Sequence, residues 1–204
     1  MENRFKFPFH NYHLNRTEAL NIPGLQEAHA LLRSARVQEL IEGGELTLAL
    51  LRPQLGPDAN LFMLDDAQAA DAIEERVSGM GMLAKFSVLL DDQAVEEFYA
   101  GGPRDTMLEM APYSFPHFKN KWEEYKGLML SAPCTVLLLK SDEAIETWRS
   151  HLGNWNVDSI RDLSTIRGGM ATNNYNDLVH GSDSVDSVKR EIDILAKCIE
   201  RQIN

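Results

Sequence analysis

Hydrophobic residues recur along this chain with two spacings, which predict helices alternating with strands. From residue 25 to 41 they return at about every third or fourth position, so we predict one helix there, ended by Gly43 and Gly44. Three short apolar runs, 46–51, 82–90 and 134–139, predict strands instead. The last run is the most apolar and should be the central strand. A fourth, very short strand is predicted at Leu178 and Val179.

Capping residues and glycines predict where the remaining helices begin and end. We predict helices over 65–77, 91–99, 117–130, 141–151 and 184–202, and a long irregular loop over 153–169. Ser141 and Ser184 are the expected caps of two of them. This order of elements predicts an α+β fold, a sandwich of helices over a mostly antiparallel sheet. We divide the chain into an N-terminal extension with a docking helix, 1–44, and a main domain, 45–204.

Composition and charge limit the kinds of molecule that this chain could bind. The chain is 44% hydrophobic and carries a net charge of −11, so its overall field should repel nucleic acid and anionic membranes. A phosphate ligand would therefore need a local cluster of cations. The two cysteines, Cys134 and Cys198, lack metal-ligand or disulfide spacing, and Cys134 should be a buried thiol. No signal-peptide pattern and no membrane-spanning run is visible, so we expect a cytoplasmic protein.

One histidine has the surroundings of a nucleophile. His180 follows two apolar residues and precedes a Gly-Ser turn and the start of a helix, so the backbone should hold it firmly. A neutral imidazole can attack phosphorus at neutral pH. A lone histidine at a strand end is more often structural, and a lone glutamate usually lies on a solvated helix face. Here, however, Glu191 on the following helix could orient the ring, and Ser182 could donate a hydrogen bond near it.

Two arginines are candidates for holding phosphate oxygens. Arg149 lies near the end of the helix after the central strand, and Arg167 lies in the segment Thr165–Gly168. The planar guanidinium can donate two parallel hydrogen bonds to a phosphate. Most arginines are ordinary surface residues, so neither one alone indicates a site.

Taken together, these segments resemble the nucleoside diphosphate kinase family in content and in order. The resemblance runs from about residue 46 to 200, roughly three quarters of the chain, and it is most specific at the histidine segment. The matching segments are Leu48–Pro53, Phe98–Tyr99, Ser131–Pro133, Arg149–Gly153, Thr165–Gly168, Val179–Ser184 and Glu191.

The resemblance implies a fold, an activity and roles for these residues. It implies a ferredoxin-like α/β sandwich with a four-stranded sheet, in which His180 takes the γ-phosphoryl group of a nucleoside triphosphate and passes it to a nucleoside diphosphate. Arg149 and Arg167 would contact the phosphates. Three residues, Tyr99, Ser182 and Glu191, would support and orient the histidine. Mg²⁺ would arrive with the nucleotide, and the chain would form a homo-oligomer: a hexamer, a tetramer or a dimer.

Three positions assigned to the nucleotide site depart from the family pattern. Arg52 stands where the family has lysine, Trp155 where it has threonine, and Asp177 where it has asparagine. Phe118 is our candidate for the aromatic that stacks on the base, although Phe115 and Trp122 compete with it. The segment 100–124 is longer than in the family, so the pocket that reads the substrate is altered around a retained phosphotransfer centre.

These departures leave three functions open. The first is ordinary nucleoside diphosphate kinase activity. The second keeps the phosphohistidine but transfers its phosphoryl group to a non-standard acceptor. The third is a non-catalytic nucleotide-binding or scaffold protein of the same fold, which the N-terminal extension and the altered cleft would suit.

Asp177→Asn should raise nucleotide turnover. A carboxylate in place of an amide a few ångströms from phosphate would cost about 1–4 kcal/mol if nothing compensates its charge. Steady-state turnover of nucleoside diphosphates by the two proteins tests this, and equal rates would remove this explanation of the substitution.

Overall fold

The computed structural model describes residues 24–53, 73, 75–77, 79–102, 104–105, 108, 121–154, 160–170 and 179–204. Within these ranges the helices and strands alternate much as the sequence predicts. In chain order they are α1 (Leu25–Leu32), α2 (Ala35–Glu42), β1 (Leu46–Leu51), β2 (Gly81–Val88), α3 (Asp92–Phe98), α4 (Lys121–Ser131), β3 (Cys134–Lys140), α5 (Ala144–Leu152), α6 (Ile166–Met170), β4 (Val179–Gly181) and α7 (Val185–Ile203).

The strands form one antiparallel sheet in the order β2-β3-β1-β4. The predicted central strand is confirmed, because β3 pairs with both β1 and β2. The short strand β4 pairs with β1, so that His180 lies opposite Leu50. Among the described strands, the candidate histidine therefore sits at the edge of the sheet, next to the fully buried strand β1.

Both faces of the sheet are covered, because side chains of β1 alternate between two hydrophobic cores. Leu48 and Leu50 point into the larger core, which α1, α2, α3, α4 and α7 complete. Ala49 and Leu51 point into a smaller core, which includes Trp148 of α5. The sheet thus places α3 and α7 on one side of β4 and α5 on the other.

The N-terminal helices pack on the larger core through residues with little or no exposure, among them Leu32, Val37 and Ile41. The prediction of one continuous helix is wrong. Ser34 begins a second helix, and its hydroxyl accepts a hydrogen bond from the Val37 amide at 3.3 Å. A serine that caps a helix must itself adopt an extended backbone, so α1 ends just before it.

Other element boundaries differ in smaller ways. Asp91 and Ser184 cap α3 and α7, as their positions in the sequence suggest. Ser141 does not cap α5, because the chain makes a further turn and the helix begins only at Ala144. The predicted loop 153–169 contains the short helix α6. Most of the predicted helix 65–77 and the start of 117–130 lie outside the described residues.

Both cysteines are buried free thiols, as predicted for Cys134. Burial raises the pKa of Cys198 to about 11. In the part of the chain that the structure describes, no helix is both long and apolar enough to cross a membrane.

Leu32→Ala should lower the free energy of unfolding by about 2–5 kcal/mol, because it removes a side chain with no exposed area from the larger core. Urea unfolding measures the loss. The control is Arg33→Ala, which removes only a half-exposed ion pair with Asp193 at 2.7 Å and should cost about 0–1 kcal/mol. An equally small loss for Leu32→Ala would show that α1 does not unfold together with the core.

Candidate active site

His180 is held by the backbone on both sides. Its neighbours Val179 and Gly181 are buried, and the ladder with β1 fixes the strand. Just beyond the strand, the Ser182 amide donates to the Leu48 carbonyl at 3.3 Å. The imidazole itself keeps 17% of its surface exposed, so the ring is anchored but still accessible.

Gly181 allows helix α5 to approach this strand closely. A Cβ atom at this position would overlap the indole of Trp148 and press against Leu152. Trp148 has no exposed area, and the next residue along α5 is Arg149. The glycine therefore brings the end of α5, with its arginine, to the side of the histidine strand.

A buried carboxylate faces the histidine. Glu191, in the second turn of α7, is only 2% exposed. The Ser182 hydroxyl donates to its Oε2 at 2.6 Å, and His180 Nε2 lies 3.0 Å from the same oxygen. The two groups are in contact, but their geometry is not that of a well-formed hydrogen bond. The carboxylate thus lies against Nε2, and Nδ1 is the ring nitrogen that does not face it.

The second oxygen of this carboxylate is held by Arg190, a residue that the sequence analysis missed. One guanidinium nitrogen lies 3.4 Å from Glu191 Oε1, and another donates to the carbonyls of Glu97 and Phe98 at 2.9 and 3.3 Å. Arg190 therefore ties the carboxylate to the last turn of α3, where a cation is favoured. Its sequence neighbours give no hint of this, because its carbonyl partners lie about ninety residues earlier.

Two aromatic rings flank the imidazole. The ring of Phe98 meets it edge-on with centroids 4.9 Å apart, and Tyr99 meets it edge-on at 5.9 Å. Both rings are almost fully buried. The predicted supporting residue Tyr99 thus contacts the histidine through its ring, while its hydroxyl approaches the sulfur of Met129 at 4.0 Å.

Arg167 lies beside the histidine strand, and two further arginines act on its charge. Arg167 in α6 is 8% exposed and donates to the carbonyls of Val179 and Gly153 at 3.1 and 3.5 Å. Burial, together with the charges of Arg52 and Arg149, lowers the pKa of Arg167 to about 9. The group is still charged at neutral pH, so Arg167 repels the charges of Arg52 and Arg149. Such repulsion favours an anion in its vicinity.

The segment before Arg167 is built by local hydrogen bonds. Asp162 accepts from the amide and hydroxyl of Ser164 at 2.9 and 2.7 Å, and its carbonyl accepts from the Thr165 hydroxyl at 2.7 Å. A Cβ atom at Gly168 would overlap the backbone of Asp162. These residues thus form a compact turn that places Arg167.

Arg52 is also nearly buried, with 8% of its surface exposed. Its guanidinium carbon lies 5.9 Å from the ring centre of Tyr99 and 5.2 Å from that of Tyr125, a second residue that the sequence analysis missed. Trp122, one of the candidates for stacking on the base, is 4% exposed and stacks on Tyr125 instead.

The remaining predicted contacts are not tested by the structure. Trp155, Asp177 and Phe118 lie outside the described residues, so their places in the nucleotide site stay predictions. Within the described ranges, no group of three or more His, Cys, Asp or Glu side chains is arranged to hold a metal ion.

Arg190→Met should lower the free energy of unfolding by about 1–3 kcal/mol, since it leaves a buried carboxylate with one partner fewer. It should also shift the ring signals of His180 in ¹H–¹⁵N NMR spectra. The matched control is Arg201→Met on the same helix, which removes a pair with Asp91 at 2.6 Å at the other end of α3. If both variants change stability and the ring signals alike, Arg190 has no special link to the site.

Comparison with known proteins places this chain in a family. The sequence model for nucleoside diphosphate kinase matches residues 71–200. A nucleoside diphosphate kinase of Histophilus somni is 29% identical over 150 residues, 72% of this chain and 89% of the relative. That of Haemophilus ducreyi is 43% identical over 67 residues, 33% of this chain and only 48% of the relative.

Solved structures show the same fold. The nucleoside diphosphate kinase of Encephalitozoon cuniculi superposes with a TM-score of 0.53 at 21% identity, covering 74% of this chain and 87% of that one. The Aquifex aeolicus enzyme gives 0.52 at 22% identity, covering 74% and 93%. The ferredoxin-like sandwich and the family that the motifs predict are both confirmed. This chain belongs to the nucleoside diphosphate kinase family.

Proposed function

We propose that this chain is a phosphotransferase that carries the γ-phosphoryl group of a nucleoside triphosphate to a nucleoside diphosphate on His180. Family and fold support nucleotide phosphotransfer in general. The observation that supports phosphorylation of His180 is the position of its imidazole, whose Nε2 lies against the buried carboxylate of Glu191. That arrangement directs the lone pair of Nδ1 away from the carboxylate.

The proposed transfer takes place in two displacements. The Nδ1 lone pair attacks the γ-phosphorus, the bond from that phosphorus to the β–γ bridging oxygen breaks, and the nucleoside diphosphate leaves with the bonding electrons. An oxygen on the β-phosphate of a second nucleoside diphosphate then attacks the phosphohistidine, and the P–N bond breaks. In the first step the ring becomes positively charged, and the Glu191 carboxylate 3.0 Å from Nε2 stabilises that charge.

The arginines would bind the phosphates in this scheme. Arg52 and Arg149 each repel Arg167, and the negative charge of a polyphosphate would relieve this repulsion while the three N–H donor groups bind its oxygens. Mg²⁺ would enter with the nucleotide and neutralise part of its charge. Tyr99 and Ser182 would serve the histidine, through ring packing and through the hydrogen bond to Glu191. We further propose a homo-oligomer, as the resemblance implies.

A non-standard phosphoryl acceptor is the second candidate. One observation favours it: Arg52 does not stand alone where the family has lysine but is packed against two tyrosine rings. A changed cation at the phosphate site could accompany a changed acceptor. No described residue favours the non-catalytic alternative, because histidine, serine and carboxylate are assembled.

Incubation with γ-labelled ATP and Mg²⁺ should give a phosphoprotein that is labile to acid and stable to base. His180→Ala should abolish the label, and Glu191→Gln should slow labelling by about 10–100-fold because the ring loses its orienting charge. The matched control is His151→Ala, a partly buried histidine at the end of α5, which should label normally.

The fate of the label separates the candidates. Rapid transfer to an added nucleoside diphosphate supports the kinase, whereas stable label that no nucleoside diphosphate removes supports another acceptor. A wild-type protein that never becomes labelled contradicts both.

A further inference from the structure

Arg52 is seated on an aromatic surface. Its guanidinium carbon is 5.9 Å from the centre of the Tyr99 ring and 5.2 Å from that of Tyr125. The two rings meet at 90° with centroids 5.1 Å apart, so they form a corner that the guanidinium faces. We call Tyr99 and Tyr125 the aromatic corner.

The aromatic corner is fixed from behind. Tyr125 is 6% exposed and stacks on Trp122, with centroids 5.9 Å apart and an angle of 26° between the rings. The indole N–H of Trp122 donates to Glu96 at 2.9 Å, and Lys126 donates to the same oxygen at 3.1 Å. A chain of contacts from α3 through α4 therefore holds the Tyr125 ring against Arg52.

The chemistry of this corner suits arginine. Burial raises the pKa of Tyr99 and Tyr125, so both rings stay neutral phenols and present electron-rich faces. A guanidinium is flat, delocalised and weakly hydrated, so it can lose water against aromatic rings more readily than the compact, strongly hydrated ammonium of lysine. The corner thus explains how a bulkier cation is accommodated at the end of β1.

The aromatic corner also affects where the positive charge of Arg52 lies. Arg52 is close enough to Arg167 for the two charges to repel each other. The aromatic corner packs against Arg52 on the tyrosine side and leaves 8% of the arginine exposed.

We propose that Tyr125 is a positioning residue that seats Arg52 beside Arg167, where its N–H groups meet the phosphate chain of the nucleotide. This rests on the proposed function. Arg52 and Tyr125 then work as a matched pair, so that arginine is useful only when the aromatic ring is present.

A double-mutant cycle on labelling from γ-labelled ATP tests the pairing. Tyr125→Leu should slow labelling at saturating ATP by about tenfold or more, and Arg52→Lys should do the same, since each removes half of the pair. The double variant should be no slower than the worse single one. Tyr125→Phe, which keeps the ring, should stay within about twofold of wild type.

Two controls separate positioning from general packing. Phe86→Leu removes a partly buried ring that packs on the same core and should leave the labelling rate unchanged. In Arg52→Ala, added guanidinium ion should restore labelling more than ammonium does, and the further change Tyr125→Leu should remove that difference. If Tyr125→Leu fails to fold, Tyr125→Met, which fills more of the space, takes its place in both experiments.

Two outcomes would show that the pairing is wrong while the kinase proposal stands. In the first, wild type is labelled and the double variant is labelled about a hundredfold more slowly, which is the product of the two single effects. In the second, guanidinium restores the labelling of Arg52→Ala no better than ammonium does. If wild type is not labelled, the kinase proposal itself fails.

Discussion

The carboxylate of Glu191 lies almost without exposure where α7 passes beneath the edge of the sheet. A buried anion is costly unless every lone pair meets a donor or a cation. Here Ser182 and His180 approach one oxygen and Arg190 approaches the other. Arg190 also binds the carbonyls at the end of α3. The contacts that neutralise the Glu191 carboxylate therefore hold the histidine and the aromatic residues at the end of α3 in place relative to one another.

The opposite problem occurs at Arg167, where burial and the positive charges of Arg52 and Arg149 lower the pKa of the guanidinium in a protein of net charge −11. The fold separates the two kinds of charge. The carboxylate is satisfied internally, whereas the arginines are held by carbonyls and by rings: Arg167 by Val179 and Gly153, Arg52 by the aromatic corner. Carbonyls and aromatic rings take part in positioning these cations, and neither kind of group carries a charge of its own.

The sequence predicts the sheet and the histidine centre because both depend on local patterns. Apolar runs predict the strands. A motif of adjacent residues points to His180, and the helix that follows it supplies Glu191, whose Oε2 lies 3.0 Å from His180 Nε2. The sequence does not predict the break between the first two helices at Ser34, because the helical spacing of hydrophobic residues continues across it. The sequence does not predict the roles of Arg190 and Tyr125, because their partners are distant in the chain. Residue spacing does not reveal a contact between α7 and α3, or one between α4 and the end of β1.

The central claim is that the carboxylate engages Nε2 of His180 so that Nδ1 receives the phosphoryl group. The direct measurement is the position of phosphorus on the ring, by ³¹P and ¹H–¹⁵N NMR of the phosphorylated protein prepared with ¹⁵N-labelled histidine. This account predicts phosphorus bonded to Nδ1, with a proton retained on Nε2 facing Glu191. Phosphorus on Nε2 would contradict it, because that nitrogen could not then lie against the carboxylate.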